Sequence, residues 1–161
     1  MDKTTLIERF NLMPHPEGGY YAETYRSSET YVPDRLKEER NLSTAIYFML
    51  EAGIFSAFHR IKSDELWHHY HGKAVTIHVI DEDGRYHKKI LGKNIANGEA
   101  FQHTVKAGSW FASELSENEG YALVGCTVSF GFDFKDFELA TSELIDVFPQ
   151  HSTVLKRLIR D

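Results

Sequence analysis

Short runs of aromatic and β-branched residues, separated by turn residues, dominate the chain between positions 20 and 128. Such runs are typical of strands, because branched and aromatic side chains pack well on a pleated surface. No helical pattern of apolar positions interrupts them, so the strands are predicted to pair with one another in antiparallel sheets. The predicted strands are 20–26, 42–50, 54–61, 66–71, 75–81, 85–91, 101–105, 109–113 and 121–128.

Turn residues between these runs support the same arrangement. The pairs Asp83-Gly84 and Asn97-Gly98 are the strongest hairpin signals, because these residues tolerate the positive φ angles of tight hairpin turns. About nine short strands at close spacing predict an all-β sandwich or barrel. The polar segment 27–41 fits no strand, and its two interpretations are a mobile loop and an arm that reaches a second subunit.

A short helix is predicted near each end of the chain. Thr5 and Glu8 resemble a capping box, and the apolar residues that follow Thr5 give the first helix one apolar side. We expect this helix to act as a lid or strap. The second helix is predicted after a cap at Ser152, where apolar residues recur at helical spacing.

Length and charge exclude several classes of protein. With 161 residues the chain has the size of one domain, and we treat 1–161 as that domain. The net charge of −6 at pH 7 argues against a broad phosphate-binding surface, so no nucleic acid is expected as a partner. The chain has neither an apolar run of the ~20 residues that a membrane helix needs nor an N-terminal signal pattern. We therefore expect a cytoplasmic protein with no membrane partner.

Familiar catalytic and nucleotide-binding motifs are absent from the sequence. It contains no GxGxxG pattern, no P-loop, no CxxC pair and no GxSxG pattern. The single cysteine, Cys126, cannot form a disulfide within the chain and lies in an apolar stretch. We interpret it as a small buried apolar residue, with a catalytic thiol as the alternative.

The segment 53–72 carries the most informative pattern for chemistry. His59 and Ile61 lie two positions apart on one predicted strand and therefore share a face. A turn over 62–64 then brings Glu65 to the start of the partner strand near them. An imidazole and a carboxylate are therefore expected to converge.

This segment resembles the first motif of the cupin superfamily. The positions that match the motif in register are Gly53, His59, Glu65 and Gly72. Ile61 stands where the motif has its second histidine, and Phe111 stands at the histidine position of the second cupin motif. Two of the four usual metal ligands are therefore missing from the sequence.

The wider chain resembles one branch of the superfamily, the DUF985 (cupin_5) proteins. The matching segments are HPEGGYY at 15–21, STAIYF at 43–48, FHR at 58–60, SDE at 63–65 with WH at 67–68, GSW at 108–110, GCTV at 125–128 and GFDF at 131–134. The resemblance implies a double-stranded β-helix, commonly dimeric, with a pocket inside the barrel. It brings no established reaction, since relatives in the superfamily include sugar epimerases, dioxygenases and seed-storage proteins.

A metal site is one interpretation of the two matching ligand positions. An enzymatic zinc, iron or manganese site normally needs about three protein ligands and an open position. The candidates for a third ligand are His68, His69, His71 and His103. Strand alternation leaves open which of them faces inward. Because two cupin ligands are replaced, we expect no tightly held metal and no other cofactor.

His59 and Glu65 are the candidate catalytic residues, acting as an acid–base pair near pH 7. The alternative is a buried hydrogen-bonded pair without chemistry, because burying either group alone is costly. The candidate ligand-binding residues are polar or aromatic side chains predicted near the pocket mouth, with core packing as the alternative for at least half of the aromatic ones. They are Glu17, Tyr20, Tyr47, Trp67, His68, Gln102, Trp110 and Phe111.

These observations favour a cupin-type protein that binds a small molecule, with sugar-derived compounds among the candidate ligands. One alternative is an isomerase or epimerase in which His59 is the base and Glu65 its orienting partner or the acid. Another is a metal-dependent, dioxygenase-like cupin with an incomplete ligand set. We also expect a homodimer, because two barrels that pack together cover apolar sheet surface.

Overall fold

Two antiparallel sheets face each other in the computed structural model, which describes residues 2–160. Helices α1, α2 and α3 span Lys3–Phe10, Glu143–Val147 and Ser152–Leu158. The strands are β1 Met13–Pro14, β2 Tyr20–Arg26, β3 Thr30–Tyr31, β4 Arg40–Asn41, β5 Thr44–Glu51, β6 Phe55–Arg60, β7 Asp64–Gly72, β8 Val75–Ile80, β9 Tyr86–Leu91, β10 Gln102–Val105, β11 Trp110–Leu115, β12 Tyr121–Ser129 and β13 Glu138–Leu139. Single turns of 3₁₀ helix occur at Ile95–Asn97, Phe134–Asp136 and Pro149–His151.

The strand order explains where the core lies. One sheet has the order β1-β2-β5-β12-β7-β10, the other has the order β13-β6-β11-β8-β9, and β3 and β4 form a separate two-stranded ribbon. Alternate side chains of the two large sheets meet between them in an apolar core that includes Phe48, Trp67, Ile77 and Phe111. The predicted all-β double-stranded β-helix with short terminal helices is confirmed.

Every predicted strand is present, with its ends within two residues of the predicted ones. Asp83-Gly84 lies in the turn between β8 and β9, where the Gly84 N–H donates to the Asp81 carbonyl. The hairpin predicted at Asn97-Gly98 is wrong. That pair ends a turn of 3₁₀ helix on the crossover from β9 to β10, and the left-handed φ of Gly98 closes the turn instead of a hairpin.

The terminal helices cover the outer faces of the sheets. Leu6 of α1 packs on the six-stranded sheet, and Leu155 of α3 packs on the five-stranded sheet. The predicted caps are wrong at both helices. Asp2 caps α1 by accepting the Thr5 N–H, and Ser152 is already the first residue of α3, so its side chain makes no capping bond. Among residues 2–160, no helix is long and apolar enough to cross a membrane.

The segment 27–41 folds back on its own chain as the ribbon of β3 and β4. A buried ion pair holds it there, in which the Arg40 guanidinium donates two hydrogen bonds of 2.8 Å to the Asp136 carboxylate. Both side chains are about 95% buried, and each is the other's nearest counter-charge, with the more exposed Glu38 and Lys62 as further partners of Arg40 and Asp136. Asp136 belongs to the 3₁₀ turn that begins with Phe134, so the ion pair ties the ribbon to that turn.

Removing one partner of this ion pair should destabilise the fold strongly. We expect Asp136→Ala to lower the free energy of unfolding by about 3–5 kcal/mol, because the buried Arg40 guanidinium keeps only the exposed Glu38 carboxylate as a counter-charge. The matched control is Glu138→Ala, which removes an exposed partner of Arg60 and should cost less than about 1 kcal/mol. Urea unfolding of both variants measures the difference, and equal losses would contradict the role of the Arg40 pair.

Candidate functional site

A cavity of about 430 Å³ lies between the two sheets and is partly open to solvent. Its mouth is marked by Met13 and Phe134, which are more than half exposed. Its polar wall residues are His15, Glu17, Glu23, Arg26, Thr44, His59, Glu65 and Asp133. Its apolar wall includes Tyr21, Ile46, Ile61, Val128, Phe132 and Phe137. Apolar walls with a few converging polar groups are characteristic of small-molecule sites.

Glu17 enters the cavity from the turn that precedes β2. Gly18 and Gly19 adopt positive φ angles of 109° and 80°, and a Cβ atom on Gly18 would lie only 2.1 Å from the Phe55 carbonyl oxygen. The turn is tied to β6 because the Ala57 N–H donates to the Glu17 carbonyl at 2.8 Å. Two glycines therefore let the chain pass close enough to β6 to bury the Glu17 carboxylate.

The Glu17 carboxylate pairs with His59. His59 Nε2 lies 2.9 Å from Glu17 Oε2, and both side chains are more than nine-tenths buried. His59 Nδ1 donates to the Ala57 carbonyl at 2.8 Å, since a carbonyl oxygen can only accept. Both ring nitrogens are thus engaged, and one proton lies between Nε2 and Oε2. The aromatic rings of Phe111 and Phe137 hold the imidazole in this orientation.

Burial and pairing act in opposite directions on this pair. Burial by itself raises the pKa of Glu17 and lowers the pKa of His59, because both charged forms lose water. The attraction between the two groups outweighs burial, so the pKa of Glu17 is lowered and that of His59 is raised. The pair is therefore a carboxylate and an imidazolium at neutral pH. Sequence analysis gave His59 the wrong partner, because Glu17 and not Glu65 accepts its hydrogen bond.

His15 lies beside the same carboxylate as a neutral ring. Its Nδ1 accepts the Glu17 backbone N–H at 3.2 Å and lies 3.6 Å from Glu17 Oε1. Burial lowers the pKa of His15, so the ring is neutral and its proton is on Nε2. No residue between 2 and 160 accepts a hydrogen bond from that Nε2–H. His15 therefore brings an unused donor to the cavity wall.

Glu65 faces the cavity from the start of β7, beside Cys126 of β12. Burial raises the pKa of Glu65 to about 7, and the Glu17 charge adds to this effect while His59 and the Cys126 thiol oppose it. Burial also raises the pKa of Cys126, so its thiol is neutral. Cys126 is 2% exposed and belongs to the core. Near pH 7 the neutral carboxylic acid and the carboxylate of Glu65 are thus present in similar amounts, and the neutral form dominates at lower pH.

The two acids of the cavity are held in opposite states. Glu17 is ionised because His59 compensates its charge, whereas Glu65 keeps its proton up to about pH 7 because nothing donates to it strongly enough to offset burial. Two titratable groups whose pKa values are pushed apart in one pocket can divide the roles of base and acid. The arrangement can therefore accept a proton at Glu17 and donate one at Glu65.

Several predicted ligand-binding residues lie outside the cavity because strand alternation turns them away. Tyr20 and Tyr47 pack under α1 on the outer face of the six-stranded sheet, whereas their neighbours Tyr21 and Ile46 face inward. His68 also faces outward, where it contacts Gln102 and Thr127.

The remaining aromatic candidates belong to cores. Trp67 and Phe111 are fully buried between the sheets, and Phe111 touches the cavity only through its contact with the His59 ring. The indole N–H of Trp67 has no hydrogen-bond partner in the described part of the chain. Trp110 packs with α2 and α3 on the other side of the five-stranded sheet, beneath the guanidinium of Arg60.

Sequence analysis missed most of the cavity wall. His15, Tyr21, Phe132 and Phe134 line it, as does Arg26 near the mouth. The sequence feature that could have indicated four of them is their position in the segments HPEGGYY and GFDF, where histidine and aromatic residues lie close to glycines. These segments are distant in sequence, so only the folded chain brings them together.

The residues at the usual cupin metal positions do not fit a bound metal. Of the four ligand positions, His59 and Glu65 carry donor atoms, whereas Ile61 and Phe111 are buried hydrocarbon side chains. Nε2 of His59 is already bonded to Glu17. Across residues 2–160, no three His, Cys, Asp or Glu side chains are arranged to hold an ion. Two of the histidines that the sequence offered as a third ligand, His69 and His103, instead form hydrogen bonds with backbone carbonyls.

Comparison with known proteins agrees with this fold. The model of the Cupin_5 family, described as Cupin superfamily (DUF985), matches residues 4–140, and the chain belongs to this family. A hypothetical protein from Leishmania major is 36% identical with a TM-score of 0.92, and the match covers all of both chains. Protein SO0799 from Shewanella oneidensis is 38% identical with a TM-score of 0.91, over 99% of this chain and 98% of that one.

Two further matches are a yeast protein and a bacterial enzyme that shares the fold. Uncharacterized protein YML079W of Saccharomyces cerevisiae is 30% identical over 151 residues, which are 86% of this chain and 75% of the yeast protein. Oxalate decarboxylase of Bacillus subtilis is 18% identical with a TM-score of 0.57, over 91% of this chain and 34% of that one. At that identity the likeness shows the shared fold alone.

The protonation of Glu65 should make stability depend on pH. The folded pKa of about 7 lies above the ordinary value of 4.5, so the neutral carboxyl stabilises the fold below pH 4.5 and this contribution is lost as the pH rises through 7. We expect the free energy of unfolding of the wild type, relative to Glu65→Gln, to fall by about 3 kcal/mol from pH 4.5 to about pH 8.

Urea unfolding at a series of pH values measures this difference. Glu117→Gln is the matched control, because Glu117 is exposed and far from the cavity, and its difference from the wild type should be independent of pH. A wild-type curve that stays parallel to that of Glu65→Gln would show that Glu65 does not titrate in this range.

Proposed function

We propose that the protein binds a small polar metabolite in the cavity and catalyses proton transfer on it, as an isomerase or epimerase. The observation that carries the proposal is the buried group of Glu17, His59 and Glu65, which face one cavity in different protonation states. A neutral acid beside a compensated carboxylate serves this chemistry, because one can give a proton while the other takes one. The aromatic and aliphatic walls support binding of a compact ligand.

The proposed reaction is the enolisation of a carbonyl compound. The free carboxylate oxygen of Glu17, Oε1, takes a proton from the carbon next to the carbonyl. The electron pair of the broken C–H bond forms a carbon–carbon double bond, and the carbonyl oxygen takes the proton of Glu65. For an isomer, Glu17 gives its proton to the neighbouring carbon while Glu65 takes the proton of the hydroxyl on that carbon. For an epimer, a water molecule gives a proton to the other face of the same carbon, Glu65 takes back the enol proton, and Glu17 loses its proton to the resulting hydroxide. Neither route involves net oxidation, and both return the two carboxyl groups to their starting states.

His59 acts through Glu17 in this proposal and is a positioning residue. Both of its ring nitrogens are engaged, one by Ala57 and one by Glu17, so the ring has no free nitrogen for the ligand. Its positive charge keeps Glu17 ionised within a buried site. The role of base, which sequence analysis assigned to His59, therefore passes to Glu17.

Hydrogen exchange with solvent tests the reaction without a known substrate. The protein is incubated in D₂O with neutral aldoses, ketoses, lactones and amides, and with phosphorylated, nucleotide-linked and carboxylate derivatives of the same compounds. Mass spectrometry detects deuterium bound to carbon. We expect incorporation into at least one compound, and a rate about 10²-fold or more lower for Glu17→Gln and for Glu65→Gln.

The control for this experiment is Glu117→Gln, which makes the same chemical change on the exposed surface. It should exchange at the wild-type rate. If a compound binds but does not exchange, the proposed catalysis is wrong and the protein is a binding protein. The proposal fails if no compound exchanges or binds.

The pH dependence of exchange gives a separate prediction for Glu65. The donor form of a carboxyl with a pKa of about 7 is lost above that pH, so the rate should fall about tenfold per pH unit above pH 7. In Glu65→Gln the residual rate should lack this decline, because an amide does not titrate there. A wild-type rate that stays constant up to about pH 9 would contradict the assignment of Glu65 as the acid.

A further inference from the structure

The charged groups of the cavity are paired with one another. Arg26 is the sole Arg or Lys side chain on its wall among the described residues. The guanidinium donates two hydrogen bonds to the Glu23 carboxylate, at 2.9 and 2.7 Å. It donates two more, to Asn41 Oδ1 at 2.8 Å and to the Phe132 carbonyl at 3.1 Å. Four of the five N–H groups of a guanidinium are thereby used, so Arg26 closes the wall instead of facing a ligand.

Negative groups outnumber positive ones around the cavity. His59 compensates Glu17 and Arg26 compensates Glu23, while Asp133 adds a further carboxylate near the mouth. A phosphate or carboxylate entering this space would lose water without gaining an unpaired cation. Burial of an uncompensated anion is among the most unfavourable events in a protein interior.

The free polar groups of the cavity suit a hydrogen-bond acceptor. The Nε2–H of His15 has no partner among residues 2–160, and Glu65 in its acid form carries a hydroxyl donor. A carbonyl or hydroxyl oxygen of a ligand satisfies both kinds of donor. Tyr21, Phe132 and Phe137 offer apolar contact to the rest of the molecule.

We infer that the site selects an uncharged carbonyl compound and rejects its phosphorylated or carboxylate counterparts, with discrimination set by the Glu23–Arg26 pair. The inference rests on the proposed function and narrows its substrate class. It separates neutral sugars, lactones and amides from sugar phosphates, nucleotide sugars and keto acids.

Equilibrium dialysis at about pH 6.5 with matched compounds tests this selection. Each neutral aldose, ketose, lactone or amide is measured beside its phosphate ester or carboxylate derivative. We expect the neutral member of a binding pair to bind at least about tenfold more tightly than its anionic partner. The Glu23→Gln variant leaves Arg26 without the carboxylate that it pairs with. In this variant the affinity for the anionic member of each pair should rise about tenfold.

Glu117→Gln is again the control, because it removes one carboxylate partner of a lysine outside the cavity and should leave the ratio of neutral to anionic affinity unchanged. An anionic compound that binds the wild type as tightly as its neutral partner would overturn the inference and leave the proposed function standing. If the ratio of neutral to anionic affinity is the same in Glu23→Gln as in the wild type, the role of the Glu23–Arg26 pair is overturned. Failure of every compound to bind would overturn the proposed function and this inference together.

Discussion

The ion pair between Glu17 and His59 is the constraint on which the site depends. Burial by itself favours the neutral form of each group, and their mutual attraction keeps a carboxylate charged inside an apolar barrel. The local geometry brings the two charges together. Gly18 and Gly19 let the turn that carries Glu17 approach β6, and two aromatic rings hold the His59 imidazole in place. The charge on Glu17 in turn helps to keep Glu65 protonated.

The strands were predictable from sequence because each is a short local run of branched and aromatic residues between turn residues. Runs such as 75–80 and 121–129 contain enough branched and aromatic residues to be recognised as strands. The cupin-like spacing from Gly53 to Gly72 then indicated which barrel these strands form. The crossover at Asn97-Gly98 was mistaken for a hairpin, because the same dipeptide closes a 3₁₀ turn. Local chemistry does not reveal which sheet the next strand joins.

The site was only partly predictable, because its contacts join distant segments. His59 and Glu65 were found from their spacing, and Glu17 was among the predicted ligand-binding residues. The partner of His59 could not be deduced, since Glu17 is 42 positions away and a nearer carboxylate was available. Tyr47 and Trp67 were placed at the mouth without knowledge of register, and each side chain is directed elsewhere by its position on its strand.

The two hydrocarbon side chains at Ile61 and Phe111 determine what introducing a metal site into this barrel would require. A histidine introduced at either position alone would bury an imidazole in the barrel interior, and it would bring the donors at the cupin positions to three, with His59 still engaged by Glu17. Each single substitution should therefore give a less stable chain. A four-ligand centre would need both histidines together and the release of His59 from Glu17.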